Sequence, residues 1–214
     1  FFRFAILNHL SESFCNEKTA VFFNLPEEDR TKYFIASLFI QQFYQELLVF
    51  ADKLGGKLPK RVMFYCDEIG TMSKIEGLEE MFTAGRSRKI SVVAIIQSTA
   101  QLERRYGKES AKIIKDNCQN TLFGGFAPGS EDAEQLSKDL GTTTVKNVSV
   151  TYNEKEGILS RNSASQRQES MTSRALITPD ELKKLKPGNF ILQKTACNPF
   201  KTKLKMFFDM GITF

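Results

Sequence analysis

The strongest constraint on the fold is the run Val62-Met-Phe-Tyr-Cys66 followed by two carboxylates, Asp67 and Glu68. Five apolar residues without alternation read as a buried strand of a parallel sheet. Open α/β sheets place their ligands at the carboxyl ends of the strands. Asp67 and Glu68 therefore fall at the edge where chemistry is expected. The bland alternative is a strand that happens to end in an acidic turn.

What surrounds this strand narrows the choice. A helical stretch over about 75–87 carries Leu78, Met81, Phe82 and Gly85 on one face. A second apolar run, Ile90 to Gln97, ends in a polar residue. Strand, acidic pair and neighbouring polar strand end make the pattern of a Walker B strand. There an aspartate helps hold Mg²⁺ and an adjacent glutamate orients or deprotonates water. Gln97 would lie beside the carboxylates, to position water or sense a phosphate, or it is simply a polar strand end. Arg86, Arg88 and Lys89 end the intervening helix. They read either as cations favoured at a helix C-terminus or as an arginine finger reaching a neighbouring subunit.

Along the chain, 1–10 reads as the end of a helix. Thr19–Leu25 reads as a buried strand. A helix follows from Pro26, with apolar positions spaced from Ile35 to Leu54, and Gly55-Gly56 stops it. Residues 99–106 and 109–118 read as helices, 121–126 as a strand, and 130–140 as a helix with Ala133, Leu136 and Leu140 inward. The alternation implies an α/β fold with a mainly parallel sheet and helices on both faces. Thr144–Tyr152 favours strand. The serine-rich, polar stretch at about 153–173 reads as a mobile loop or hairpin tip. Thr178-Pro-Asp-Glu181 is a helix start with a capping box. Two strands follow around Asn198-Pro199. Lys201, Lys203 and Lys205 alternate with smaller or apolar residues, as on a solvated edge strand, with nucleic-acid contact the rarer reading.

Composition excludes several classes. The four cysteines form no C-x-x-C pair, which argues against zinc and disulfide frameworks. The single histidine, His9, makes a histidine triad improbable as the chemistry. No run reaches the roughly 18 apolar residues of a membrane helix, and these residues are expected to be soluble on their own. A net charge of +5 permits a polyanionic partner without requiring one. A phosphate-binding G-x-x-x-x-G-K-[ST] loop is not among these residues: Gly55-Gly56-Lys57 lacks the spacing and the hydroxyl.

One ordered set of motifs resembles a known family. Thr19-Ala-Val-Phe-Phe, Asp29-Arg-Thr31, Cys66-Asp-Glu-Ile-Gly70, Ala84-Gly-Arg-Ser-Arg88, Ala94-Ile-Ile-Gln-Ser98, Gln101-Leu-Glu103, Tyr106-Gly107, Asp116-Asn117 and Leu176–Leu182 fall in the order found in the TraG-like conjugative coupling proteins of type IV secretion. The likeness runs from about Thr19 onward. It implies the C-terminal part of a RecA-like P-loop NTPase domain, without its Walker A segment, in 19–214. The first 18 residues would be a connector or the trailing edge of an inserted all-helical domain.

By that resemblance Asp67 is the metal-site aspartate, Glu68 the catalytic glutamate, Gln97 the polar residue of the adjacent strand, and Arg86 or Arg88 a trans-acting arginine. The resemblance further implies ATP and Mg²⁺ as cofactors of a longer, hexameric parent at the cytoplasmic face of the bacterial inner membrane. That parent would be anchored by segments not among these residues. DNA, a relaxase and secretion-channel proteins would be its partners. The 214 residues alone are expected to show no ATPase activity. The rival readings are another hexameric DNA translocase and a non-catalytic adaptor.

Overall fold

Apolar residues at helical spacing build the first half of the molecule around a short parallel strand pair. The computed structural model describes residues 5–25, 30–152, 165–205 and 207–211. The chain divides into two units, Phe1–Gln119 and Asn120–Phe214.

In the first unit, helix α1 spans Ala5–Asn16 and helix α2 spans Arg30–Lys53. The stretch expected to be a connector is thus helical from Ala5, and it packs on α2. Cys15 is fully buried, and the Phe14 ring meets Phe43 edge-on at 5.3 Å. The segment Lys32–Lys53 is, by length and composition, apolar enough to cross a membrane. Its Phe43, Tyr44, Leu47 and Ala51 are nevertheless buried in the core of this unit. Burial of Leu47 alone stabilises the fold by roughly 2 kcal/mol. The helix stops as expected, because Gly55 and Gly56 take positive φ (80° and 100°) and the Gly56 N–H donates to the Ala51 carbonyl at 2.8 Å.

Strand β1, Val62–Cys66, pairs in parallel with β2, Ile90–Ala94, in the register Val62↔Ile90 to Cys66↔Ala94. Between them run helix α3, Leu78–Ala84, and a 3-10 turn, Gly85–Arg88. Helices α4, Thr99–Tyr106, and α5, Lys108–Asn117, follow. Val62 and Cys66 are buried, and Phe64, on the same face, meets the Phe43 ring at 5.9 Å. The Tyr44 hydroxyl donates to the Glu80 carbonyl at 3.2 Å, and the Ile75 N–H donates to the Tyr106 hydroxyl at 3.3 Å. These bonds fix α2, α3 and α4 around the strand pair.

The second unit starts with β3, Asn120–Phe123, and α6, Glu131–Asp139. Strands β4, Thr142–Tyr152, and β5, Ser165–Ala175, form an antiparallel ribbon of eleven paired positions. Helix α7 is Pro179–Lys183, and β6, Asn189–Lys194, and β7, Phe200–Lys203, complete an antiparallel sheet in the order β3-β6-β7. Ala133, Leu136, Leu140, Leu182 and Ile191 form its core. The capping box is present: the Glu181 N–H donates to Thr178 Oγ1 at 3.3 Å, and the Thr178 N–H donates to Glu181 Oε2 at 2.8 Å. Lys201 and Lys203 are exposed on β7, which among the described residues pairs only with β6 and is therefore an edge.

Several expectations change. Thr19–Leu25 is not a strand; no described strand pairs with it, and Phe22 is 91% exposed. An apolar run becomes a strand only when partners satisfy its backbone. The mainly parallel sheet covered on both faces narrows to one parallel pair, β1–β2, since β3 pairs antiparallel to β6. On the other face of β1, Met63 and Tyr65 are 42% and 70% exposed. Of the stretch read as a mobile loop or hairpin tip, residues 165–173 are strand, paired with β4 in an antiparallel ribbon despite the composition. Residues 153–164 of that expectation lie outside the described ones.

Candidate functional site

The parallel pair brings Asp67, Glu68 and Gln97 to one edge. Past the strands the ladder runs on: the Ile95 N–H donates to the Cys66 carbonyl at 3.0 Å, and the Ile69 N–H donates to the Ile95 carbonyl at 3.1 Å. This holds the turn after β1 beside the segment after β2. Gln97 lies three residues beyond β2. Its Nε2 donates to Glu68 Oε1 at 2.9 Å.

Glu68 has φ of 49°, in the left-handed region that a residue with a side chain rarely adopts. Such a conformation costs on the order of 1 kcal/mol and persists only where neighbours enforce it. Here they do: the Glu68 carbonyl accepts from both the Thr71 N–H and the Thr71 hydroxyl at 2.9 Å. The Arg105 guanidinium donates to the Thr71 carbonyl at 3.3 Å, tying α4 to the same turn. Asp67 and Glu68 are both exposed, and the Asp67 carboxylate has no hydrogen bond or ion pair among the described residues.

Behind the carboxylates, Cys66 is buried, which pushes its thiol up to about 11. It is a core residue, not a nucleophile. No group of three or more histidine, cysteine or acidic residues is assembled among the described residues. The donor set therefore does not make a self-sufficient metal cage. It does fit Mg²⁺, which is usually held by one or two carboxylates together with substrate phosphates. Asp67 is the carboxylate of this edge that no described residue engages.

The arginines sit elsewhere. Because β1 and β2 are parallel, the 3-10 turn Gly85–Arg88 meets the sheet at the start of β2, where the Val62 N–H donates to the Lys89 carbonyl at 3.1 Å. Five strand residues, about 16 Å, separate that end from Asp67 and Glu68. Neither arginine belongs to the same chain's carboxylate edge. Arg88 is held by the Asp52 carboxylate and by the Gly56 carbonyl at 3.3 Å. Arg86 is exposed, pairs with no carboxylate among the described residues, and donates to Gln119 Oε1 at a long 3.4 Å. With Lys57, Thr83, Ser87 and Lys89 it lines an open depression of about 420 Å³.

Two residues of the site had no role in the sequence reading. Gln101, on the first turn of α4, donates from Nε2 to Gln97 Oε1 at 3.3 Å. Gly70 is buried beneath it, and a Cβ there would come within 2.9 Å of the Gln101 Cβ. The signal available was the i, i+4 spacing of Gln97 and Gln101 at a helix start.

Comparison with known proteins places this geometry in context. Residues 61–187 match the family model described as the TraM recognition site of TraD and TraG. The chain is 30% identical over 172 residues to the type IV secretion system-coupling protein VirD4 of Bartonella quintana (strain Toulouse), covering 80% of this chain and 26% of that protein. It spans about a quarter of the length of such curated relatives. The unbound monoclinic form of the bacterial conjugative coupling protein TrwBdeltaN70 superposes with a TM-score of 0.59 at 21% identity, covering 78% of this chain and 36% of that one. The plasmid coupling protein TrwB in complex with ADP and Mg²⁺ gives 0.57 at 20% identity, over 78% and 35% of the two chains. The structural likeness shows the fold, the RecA-like α/β fold expected above.

Proposed function

The chain belongs to the TraD/TraG family of conjugative coupling proteins, and from that membership we propose that it is part of an ATP-driven motor that links a DNA–relaxase complex to a type IV secretion channel. The observation that carries the proposal is the 2.9 Å bond from Gln97 to Glu68 at the carboxyl edge of the parallel pair. A strained glutamate, oriented by an amide and flanked by an unengaged aspartate, suits activation of water next to a phosphate.

In this reading Glu68 accepts the proton of the attacking water as general base. Gln97 orients the Glu68 carboxylate. Asp67 holds Mg²⁺ with the nucleotide phosphates. The ion, when bound, neutralises charge on the transferred phosphoryl group. Arg86 serves a neighbouring subunit's nucleotide, because its own carboxylate edge is out of reach and no acid among the described residues engages it. The bond of Arg88 to Asp52 favours Arg86 over Arg88 for that role. The full-length protein is proposed to act as a homo-hexamer on DNA at the cytoplasmic face of the inner membrane.

The description of the matched family as a recognition site for TraM supports a second role, docking of a DNA-processing partner. The two roles separate in one variant. In the full-length protein, Glu68→Gln should bind ATP normally and lose turnover by about 10²–10⁴-fold, while partner capture persists. Turnover within a few-fold of wild type would remove Glu68 from the chemistry.

A further inference from the structure

Gln97 meets Glu68 with an amide, and an amide has two unlike ends. Its NH₂ attracts a carboxylate and its carbonyl repels one. The Glu68 carboxylate favours the NH₂ end, although the two ends are nearly the same size. The choice is reinforced from the first turn of α4. Gln101 Nε2 donates to Gln97 Oε1 at 3.3 Å, which commits that oxygen as an acceptor and leaves Nε2 to face Glu68 at 2.9 Å.

We infer that Gln101 is a positioning residue for water activation, setting the polarity of the Gln97 amide and through it the orientation of the Glu68 carboxylate. The inference rests on the reading of Glu68 as the base. Gln101 touches none of the reacting atoms; it acts through Gln97.

Three features hold Gln101 in place for this task. Its backbone N–H donates to Ser98 Oγ at 3.4 Å, the cap of α4. Its side chain lies over Gly70, where a methyl group would come within 2.9 Å of both its Cβ and its Oε1. Arg105, four residues on, ties the same helix to the Thr71 carbonyl of the turn that carries Glu68. The absence of a side chain at Gly70 is thereby explained. Gly70 has no positive φ to demand a glycine, so close approach of Gln101 is the remaining reason.

The test uses steady-state ATP turnover and melting temperature of the full-length protein carrying Gln101→Met, Gln101→Glu, Gln97→Met or both methionines. Gln101→Met removes the donor with little change of shape. Gln101→Glu keeps the shape but offers only acceptors, so it competes with Glu68 for the Gln97 NH₂. It also covers the case in which the methionine variant fails to fold. Each is expected to lower kcat about tenfold, the size of one oriented hydrogen bond, with KM for ATP and melting temperature little changed. The double methionine variant is expected to match Gln97→Met within about twofold, because residues acting through one another are not additive.

Two results would overturn the inference while Glu68→Gln still abolishes turnover. One is wild-type kcat in both Gln101 variants. The other is a Gln101→Met loss that persists in full when Gln97 is already methionine. If Glu68→Gln itself turns over normally, the general-base reading fails first and the role of Gln101 goes with it.

Discussion

Arg88 reaches back thirty-six residues to the carboxylate of Asp52 and, in the same turn, to the carbonyl of Gly56. It ties the end of α2 to the 3-10 turn that leads into β2. Arg86, two residues earlier, makes no such commitment. Arg88→Ala should therefore cost about 1 kcal/mol of stability, modest because the pair is partly exposed, and leave trans catalysis to Arg86. A calorimetric scan measures it. An Arg88→Ala protein with an unchanged melting temperature and slow ATP turnover would reverse the two assignments.

Arg86→Ala should assemble and bind ATP yet hydrolyse it about 10³-fold more slowly or worse. Mixed with Glu68→Gln subunits, it should regain part of the lost activity. A mixed interface then pairs an intact Glu68 with an intact Arg86. Absence of any recovery in hexamers that demonstrably mix would leave Arg86 as a cation at a helix end.

The buried thiols give a test of the first unit's core. Cys66 is 2% exposed and its thiol is pushed up to about 11 by burial, and burial raises Cys15 and Cys118 as well. Cys197 is exposed. At about pH 8 a maleimide should label Cys197 within minutes and leave Cys66 untouched until the chain is unfolded. Mass spectrometry of the labelled peptides decides it. Rapid native labelling of Cys66 would mean that the strand carrying Asp67 and Glu68 opens readily.

Much of this site was legible in the sequence because it depends on local rules. An apolar run ending in Asp67-Glu68, and a second ending at Gln97, place three side chains by strand geometry alone. Thr178 and Glu181 announce a capped helix by spacing, and the cap is there. What escaped depends on partners distant in the chain. Thr19–Leu25 has the composition of a buried strand but no described neighbour to pair with. Ser165–Ala175 has the composition of a loop and becomes a strand because β4 supplies the ladder. Arg86 and Arg88 look equivalent in sequence; only Asp52 tells them apart. The left-handed backbone of Glu68 follows from the Thr71 bonds and the Ile95 ladder, which no residue type foretells.

The capping box carries a pH dependence with a definite sign. The Thr178 N–H, then the Arg174 guanidinium and the Thr178 hydroxyl, hold the Glu181 carboxyl below the usual carboxylate range. A depressed value in the folded state contributes stability above the unfolded value of about 4.5, lost as pH falls through the folded one. The melting temperature of wild type should therefore drop more steeply than that of Glu181→Gln as pH is lowered below about 4.5. Parallel curves would show that the box contributes no proton-linked stability.

Asp67 offers the last and most direct test of how the edge is used. It follows β1 immediately and is exposed, while its neighbour Glu68 is held by Gln97. The two adjacent carboxylates are thus distinguished by geometry: one is engaged by Gln97, the other by no described residue. Since Mg²⁺ relies on one or two carboxylates with the phosphates, Asp67 should govern the Mg²⁺ dependence of nucleotide affinity, and Glu68 should not. In the full-length protein, wild type and Glu68→Gln should bind ATP more tightly as Mg²⁺ is titrated in. Asp67→Ala should show an affinity that Mg²⁺ barely changes. Isothermal titration with ATP at fixed Mg²⁺ concentrations measures all three. If Asp67→Ala keeps the full Mg²⁺ effect while Glu68→Gln loses it, the roles of the two carboxylates are exchanged, and the bond from Gln97 must be read as orienting a metal ligand.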